Sequence, residues 1–475
     1  MLPLVDRDEP RFAEASREMI ERRDYVVPFF NDRFRFDKPP LTYWAQVASY
    51  NLFGEDSFAA RFPSAVAAAL TAVAIFFWGR RLGNRRLGFW AALVFTLCVQ
   101  TFVHAKAAVA DMWLVLFMTL AQWAGYELLR DRFAGSWRSA VVRPKGLRKW
   151  WCIFYLSLAL GFLAKGPIAW MPLGTVAVFR FCRPVPDFAR RFLFVRGILL
   201  TLGLIALWGV PALWQTHGAF LSVGLGRHVI GRSFGTMQGH GGASILSALA
   251  SLPFYFVTIF LTFAPWSVGL PWLARRLWQK RDTLDLYLIA GTGVIVVVFS
   301  VVKTKLPHYI LPAFPLLAFL FVRHLLRTRG GERILLWTTG ATATVMLGLA
   351  LVGFPAMAPY FPSAALFEKA EPYLQPEMDF AAYDFDAPSL VWLFRSRVRG
   401  FLRYNREENR DVATLQPDQI PPFLTSAGPH FVVLPSAVAE KLYPVLPIGY
   451  RKFSTHGFDM AKGRWVDLTL IMKNT

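Results

Sequence analysis

Long runs of apolar residues, separated by short polar loops, occupy the chain from residue 61 to residue 354. A helix needs about 20 apolar residues to cross a hydrocarbon layer about 30 Å thick, and these runs are of that order. They predict ten spanning helices, at 61–79, 87–103, 108–129, 150–164, 166–182, 193–214, 248–272, 284–302, 307–325 and 333–354. Because only Lys165 separates 150–164 from 166–182, one long re-entrant element is the alternative for that pair.

Lysine and arginine are distributed unequally between the loops on the two sides of these helices. Every second loop is rich in both residues, near 80–86, 130–149, 180–196, 275–281 and 323–333. The intervening loops hold Lys106, Lys165, Arg227, Arg232, Lys303 and Lys305. Because strongly basic loops stay in the cytoplasm, the basic-poor loops are predicted to lie outside. Residues 1–60 are then predicted to lie outside as well, so a further helix is expected to precede this sequence.

Two segments on the predicted outer side are long enough to form structure of their own. In the first, a helix at 11–22 is predicted to lie on the membrane surface, with one apolar face formed by Phe12, Ala15, Met19 and Ile20. A second helix is predicted at 41–53. The C-terminal tail is less apolar and predicts strands near 380–384, 431–434 and 465–472 and a helix near 388–397.

These patterns predict an all-α polytopic membrane bundle with a small C-terminal α/β extracytoplasmic domain. The outer segment covers residues 1–60, the transmembrane domain 61–355 and the outer α/β domain 356–475. The composition agrees, because 55% of the residues are hydrophobic and 17% are charged, whereas a soluble domain is about 25% charged.

Composition and motifs also exclude several classes of function. The net charge of +21 does not indicate nucleic-acid binding, because the basic residues fall in short blocks between apolar runs. The three cysteines lie in or beside apolar runs and indicate no disulfide framework, and no Cys/His cluster has zinc spacing. The sequence has no Walker motif and no dinucleotide fingerprint, so no nucleotide cofactor is expected. Any chemistry therefore uses a substrate that is activated elsewhere.

Carboxylates next to the spans on the predicted outer side are candidate functional groups, because ionisable groups are costly near hydrocarbon. Asp8, Glu9 and Arg11 form a motif that could supply a general base with an orienting cation. A solvated helix start is the alternative for this motif. Asp111 begins a predicted span, and is either a helix cap or a functional carboxylate.

Cations on the same side are the second group of candidates. Lys38 precedes Pro39-Pro40 and a predicted helix start, an arrangement suited to an anion, although interfacial anchoring is the alternative. Lys165 either contacts a phosphate or extends to the interface. The glycine-rich loop 215–247 is typical of a lid over an anionic ligand or of an exposed loop. It carries His217, Arg227, His228, Arg232 and His240, and the turn from Lys303 to Tyr309 adds Lys305 and His308.

Taken in order, these motifs resemble those of GT-C lipid-linked-sugar glycosyltransferases, in the branch of the aminoarabinose transferases (ArnT) and protein mannosyltransferases. The resemblance runs from residue 6 to about residue 330. It rests on Asp8-Glu9-Pro10-Arg11, Asp37-Lys38-Pro39-Pro40, Ala110-Asp111, Ala164-Lys165-Gly166-Pro167, Gly226-Arg227-His228 with Arg232 and His240, and the turn Lys303–Tyr309.

The resemblance implies transfer of a sugar from a polyprenyl-phosphate donor to a lipid A-like lipid or another lipid or glycan acceptor. The reaction would take place among membrane lipids, on the periplasmic face of a bacterial inner membrane. The implied catalytic residues are Asp8, Glu9 and Asp111, with Asp8 as a base or as the carboxylate that orients the acceptor. The implied phosphate ligands are Lys38, Lys165, Arg232 and Tyr309, and the implied supporting residues are Arg11, His228, His240, Lys303, Lys305 and His308. A divalent metal ion is a candidate cofactor, with Asp37 and His228 as ligands.

A transporter or flippase of lipid-linked sugars or solutes is the alternative function. Transporters usually have internal repeats and charged or broken helices at mid-membrane. This sequence shows no repeat, and its ionisable groups gather at one end of the spans. A non-catalytic scaffold whose tail binds partners would leave that gathering unexplained.

Overall fold

The computed structural model describes residues 2–130, 147–185, 187–224, 252–403 and 414–473. The helices before the C-terminal domain are α1 Asp8–Arg22, α2 Leu41–Phe53, α3 Ser57–Arg81, α4 Arg85–Thr96, α5 Val99–Ala105, α6 Asp111–Arg130, α7 Leu147–Lys165, α8 Met171–Cys182, α9 Phe188–Phe192, α10 Phe194–Gln215, α11 Phe254–Thr262, α12 Leu270–Gln279, α13 Thr283–Val301, α14 Phe314–Leu325, α15 Gly331–Gly348 and α16 Phe354–Met357. The C-terminal helices are α17 Pro362–Ala370, α18 Pro388–Phe394, α19 Ile420–Leu424 and α20 Ser436–Leu442. The strands are β1 Phe29–Phe30, β2 Arg33–Phe34, β3 Asp379–Ala382, β4 Leu402–Arg403, β5 His430–Pro435, β6 Tyr450–Asp459 and β7 Arg464–Lys473.

Seven helical segments among the described residues are long and apolar enough to cross a membrane. They are Ser57–Arg81, Asp111–Arg130, Leu147–Lys165, Phe188–Gln215, Thr283–Val301, Pro307–Leu325 and Gly331–Tyr360. The bent pair α4 and α5 is an eighth if it counts as one span. The predicted polytopic helical bundle is therefore confirmed, and the chain is a multi-span membrane protein.

Two of the ten predicted spans are not single helices, so the prediction was wrong there. The run at 87–103 bends by 71° between α4 and α5, because Cys98 is extended and the N–H of Val99 donates to the carbonyl of Ala264 at 3.0 Å. The described part of the run at 248–272 breaks at Pro265, which cannot continue a helix. The run at 166–182 is the shorter helix Pro167–Cys182, which begins with a 3₁₀ turn.

The bundle core combines many large aromatic side chains with aliphatic ones. Trp78 of α3 is fully buried, and its ring centroid lies 4.9 Å from that of Phe319 on α14. Where α3 crosses α4, a Cβ atom on Gly79 would lie 2.3 Å from the Cα of Gly88, so only glycine allows this close crossing. On the outside, Trp214 and Phe181 are almost fully exposed. An apolar exterior of this kind is suited to lipid.

The predicted helix at 11–22 is present as α1, but its polar face is not exposed to water. Its apolar face packs on α2, and its polar face packs against α18 of the C-terminal domain. Arg17 donates to the carbonyl of Trp392 at 2.8 Å and pairs with the buried Glu14. Burial raises the pKa of Glu14 to about 8, although Arg17 opposes the rise. The surface-helix interpretation is thus replaced by a helix enclosed between two parts of the protein.

A β-hairpin that the sequence did not predict joins α1 to α2. Phe29 pairs with Phe34 and Phe30 pairs with Arg33 in antiparallel register. The two turn residues, Asn31 and Asp32, have φ values of 51° and 64°. Both values fit the two-residue turns with positive φ that close tight hairpins, and asparagine and aspartate tolerate this conformation well.

The C-terminal domain is a five-stranded mixed sheet with strand order β4-β3-β5-β7-β6. β3 is parallel to β4 and β5, whereas β7 is antiparallel to β5 and β6. One face packs on α18, with Phe380, Phe394 and Phe431 in its core. The predicted strands near 380–384, 431–434 and 465–472 and the helix near 388–397 are confirmed. β6 was missed, because most of its side chains are partly or fully exposed and polar, which hides the apolar alternation.

Candidate active site

An ion pair between α6 and α7 forms the centre of a polar cluster where α7 ends and α6 begins. Asp111 is the first residue of α6 and Lys165 is the last residue of α7. The Nζ of Lys165 donates to Oδ1 of Asp111 at 2.5 Å, with the side chains 13% and 11% exposed. Gly166, at φ +82°, ends α7 directly after Lys165, and glycine favours this left-handed conformation. The pair neutralises two charges that would be costly singly.

Two histidines lie beside this pair. The Nε2 of His308 is 3.9 Å from Oδ1 of Asp111, and the imidazole centroids of His104 and His308 are 4.9 Å apart. Nδ1 of His104 lies 2.9 Å from Nε2 of Gln100, which fixes the ring orientation. His308 is among the predicted supporting residues, whereas His104 was not assigned a role. The feature of the sequence that could have identified His104 is its position in the same predicted outer loop as Asp111.

A cavity of about 290 Å³ opens next to the cluster. Most of its lining is apolar, from Phe36, Leu114, Phe162, Ile205, Trp208, Leu213, Phe220, Phe299 and Val302. Its ionisable and hydroxyl side chains come from Asp37, Lys38, Lys165, Thr304 and Tyr309. The Nζ of Lys165 lies 5.5 Å from the ring centroid of Tyr309. The cavity thus combines a long apolar wall with two ammonium groups and a phenol.

The segment carrying Asp37 and Lys38 is held by a second ion pair. Arg35 places Nη2 at 2.9 Å from Oδ2 of Asp37 and donates from Nε to the hydroxyl of Tyr43 at 3.0 Å. Pro39 and Pro40 then lead directly into α2, as the sequence predicts. Lys38 is therefore presented at the cavity from a short segment whose two ends are fixed.

Asp8 and Glu9 are adjacent, but their surroundings differ. The carboxylate of Asp8 is 68% exposed, lies 4.0 Å from Nη1 of Arg11, and is near enough for its charge to act on His308. Glu9 is buried and pairs with Arg61 through both oxygens, at 3.0 and 2.7 Å. It also accepts from the backbone N–H of Ala108 at 2.6 Å. Glu9 ties α1 to α3 and to the loop before α6, whereas Asp8 faces an open space.

The remaining predicted site residues are distributed as follows. Lys305 donates to the carbonyls of Ser300 and Val302, at 2.6 and 2.9 Å, and so caps the end of α13. Lys303 is exposed in the same turn. Arg232, His228 and His240 lie outside the described residues.

Side chains that could bind a metal ion come together at a place other than the predicted ligands Asp37 and His228. His104, Asp111 and His308 each offer a ligand atom, and these atoms lie within 4.8 Å of one another. Asp37, the described member of the predicted metal pair, is instead bonded to Arg35. In the triad, Oδ1 of Asp111 is also bonded to Lys165, so a cation bound there would share the Asp111 carboxylate with that ammonium.

The helical bundle with its C-terminal sheet has the same fold as solved structures of the aminoarabinose transferase ArnT. The structure matches the crystal structure of ArnT from Cupriavidus metallidurans bound to undecaprenyl phosphate with a TM-score of 0.77 and 19% identity, over 98% of this chain and 94% of that one. Residues 37–214 match the family model of dolichyl-phosphate-mannose-protein mannosyltransferases. The resemblance found in the sequence is confirmed by both comparisons.

Sequence relatives point to the same branch. The undecaprenyl phosphate-alpha-4-amino-4-deoxy-L-arabinose arabinosyl transferase 2 of Sodalis glossinidius is 33% identical over 70% of this chain. The corresponding transferase of Aeromonas hydrophila is 31% identical over 77% of it. The matches span 58% and 64% of the lengths of these two relatives.

Proposed function

We propose that this chain is a membrane glycosyltransferase that moves a sugar from a polyprenyl-phosphate donor to an acceptor lipid. The observation that carries the proposal is the apolar cavity bordered by Lys38, Lys165 and Tyr309. A prenyl chain needs an apolar wall, and its phosphate needs cations at one end of that wall. Undecaprenyl phosphate is the ligand of the matched ArnT structure, and the sequence relatives are named for undecaprenyl-phosphate donors.

The cations would act mainly on the leaving group. As the bond between the sugar carbon and the phosphate oxygen breaks, the oxygen keeps the electron pair and the phosphate gains negative charge. Ammonium groups placed there stabilise the transition state more than the bound substrate. Asp111 holds Lys165 ready for this task, because its carboxylate fixes the ammonium before the phosphate arrives.

Asp8 is the proposed group on the acceptor side. Its carboxylate is exposed and near enough to His308 for its charge to act there. If the acceptor is a hydroxyl, Asp8 takes the proton that the hydroxyl loses as its oxygen attacks the sugar carbon. If the acceptor is a phosphate, no proton is released and Asp8 orients the acceptor through Arg11. Glu9 supports Asp8 by fixing the backbone next to it.

Two further assignments from the sequence remain part of the proposal. The uneven distribution of basic loops supports a periplasmic active site in a bacterial inner membrane. The names of the relatives support aminoarabinose as the first sugar to test, and the family resemblance of the sequence motifs supports a lipid A-like acceptor. A divalent ion would supply Lewis-acid stabilisation of the phosphate if it bound His104, Asp111 and His308, but no step above depends on one.

Transfer can be tested with the purified protein in liposomes. The donor is undecaprenyl phosphate carrying aminoarabinose, the acceptor is lipid A, and mass spectrometry measures the product. We expect product with the wild type and a loss of at least about 100-fold with Lys165→Ala. Lys106→Ala is the matched control, because Lys106 is exposed and its Nζ lies over the ring of Phe102, 4.0 Å from the ring centroid. Movement of the donor across the bilayer without any sugar transfer would favour the flippase instead.

A further inference from the structure

The C-terminal domain is attached to the two short segments that carry Asp8 and Lys38. One attachment lies two residues before Asp8. Asp6 accepts the backbone N–H of Ser389 at 2.9 Å and the hydroxyl of Ser389 at 2.5 Å. Ser389 is the second residue of α18, and its hydroxyl also lies 2.7 Å from that of Ser363 on α17. The segment that precedes α1 is thus bound to the C-terminal domain two residues before Asp8.

The second attachment lies in the hairpin that leads to Lys38. The side chain of Asn31 donates from Nδ2 to the carbonyl of Leu402 at 3.1 Å and accepts the N–H of Leu402 at 2.9 Å. This pair of bonds copies the pattern of a β-ladder, so Asn31 extends the sheet at its edge strand β4. Asn31 is completely buried, and its turn is also capped by Glu18 of α1.

The domain has a core on each face of its sheet, and Phe30 of the hairpin packs into one of them. Asp6 and Asn31 both belong to the N-terminal segment, and each bonds to one residue of the domain. Asp8 is largely exposed, so its position depends on its backbone neighbours more than on its own side-chain contacts.

We propose that the C-terminal domain positions the transfer site through two separate clamps, Asp6–Ser389 for the carboxylate of Asp8 and Asn31–Leu402 for the ammonium of Lys38. The inference rests on the proposed function. Reacting groups that shift by about 1 Å can lose roughly 100-fold in rate, so modest loosening at either clamp is enough to be measured. Because Asp8 and Lys38 have different tasks, the two clamps have different kinetic signatures.

The Ser389 clamp is tested by Ser389→Ala. We expect kcat to fall roughly tenfold with the donor KM unchanged, because Asp8 acts on the acceptor. Ser363→Ala is the matched control, since it removes the outer hydroxyl contact and leaves both bonds to Asp6 in place. Ser389→Thr retains a hydroxyl and should restore kcat.

The Asn31 clamp is tested by Asn31→Gly, which keeps the positive φ and removes both bonds to Leu402. We expect the donor KM to rise roughly tenfold, because Lys38 is proposed to hold the donor phosphate. Asp32→Gly is the control at the neighbouring turn position. The side chain of Asp32 bonds to the part-exposed Arg22 and not to the C-terminal domain, so this variant should leave the donor KM unchanged.

The outcomes separate this inference from the proposed function. If the wild type transfers sugar but both clamp variants have wild-type kcat and donor KM, the positioning role is wrong and the transferase stands. If both variants lose the same fraction of activity with no change in KM, the clamps act only on folding and the inference is again wrong. If the wild type transfers nothing, the proposed function itself fails. Should Ser389→Ala not fold, the comparison of Asn31→Gly with Asp32→Gly decides alone.

Discussion

Lys165 and Asp111 are 54 positions apart in the sequence, yet their side chains meet at 2.5 Å where α7 ends and α6 begins. The contact follows from the close packing of α6 on α7. It brings together a carboxylate and an ammonium that each had a simpler explanation, as a helix cap and as an interfacial lysine. Their pairing beside a mostly apolar cavity is what supports a phosphate-handling role.

Substitutions in the ion pair of Lys165 and Asp111 should change stability and transfer activity in different ways. Lys165→Met alone leaves the Asp111 carboxylate buried without its cation, which should cost about 3 kcal/mol of unfolding free energy. The double variant Lys165→Met with Asp111→Leu should recover most of that loss but no transfer activity. Thermal unfolding in detergent and the transfer assay measure the two quantities. Recovery of activity in the double variant would contradict the phosphate role.

The adjacent carboxylates Asp8 and Glu9 should respond differently to neutralisation. Asp8→Asn should lower kcat about 100-fold or more with little change in thermal stability, because Asp8 is exposed and acts on the acceptor. Glu9→Gln should destabilise the protein by roughly 3 kcal/mol, because it breaks the paired contacts with Arg61. Measuring kcat and unfolding for both variants tests the distinction. A fully active Asp8→Asn enzyme would remove the catalytic assignment.

The cavity should accept less lipid when its wall is filled. Gly209 lines the cavity, and a Cβ placed on it meets no atom within 4 Å. Gly209→Leu should therefore fold but raise the donor KM roughly tenfold, by filling space that the prenyl chain needs. Gly203→Leu is the control on the same helix, since it is also unobstructed but lies on the exposed side, outside the lining. Equal effects of the two substitutions would place the prenyl chain elsewhere.

Glu14 should make the attachment of α1 pH-dependent. Burial raises its pKa from 4.5 to about 8, so the folded protein binds the proton more tightly than the unfolded chain does. The stability gained from that proton is complete below about pH 4.5 and is lost as the pH rises through 8. The thermal midpoint of the wild type should fall relative to Glu14→Gln over this range. A constant difference between the two proteins would show that Glu14 keeps one protonation state throughout.

Removal of divalent ions should leave transfer intact. Oδ1 of Asp111 is bonded to Lys165 in the cluster of metal-type donors, so the proposed mechanism uses the ammonium for the charge of the phosphate. Transfer rates before and after dialysis against a chelator provide the measurement. Loss of activity that returns only with an added divalent ion would assign the triad to a metal.

Several predictions succeeded because they rest on local physics. A hydrocarbon layer imposes length and apolarity on every helix that crosses it, so the spans were readable from hydropathy alone. The bounds of α2 were predicted correctly, because Pro39-Pro40 and Gly54 mark its ends. The interruptions at Cys98 and Pro265 were missed, because one depends on a hydrogen bond from Val99 to the distant Ala264 and the other lies inside a continuous apolar run.

The amino-acid sequence by itself determined the membrane bundle, the outer α/β domain and the residue types available for chemistry, since apolar length and periodicity are properties of neighbouring residues. Only the tertiary structure decided which of those residues meet. It placed Lys165 on Asp111, added His104 to the cluster, separated Glu9 from Asp8 and enclosed α1 under the C-terminal domain. Contacts between distant residues depend on how helices pack, and no local pattern in the chain encodes that packing.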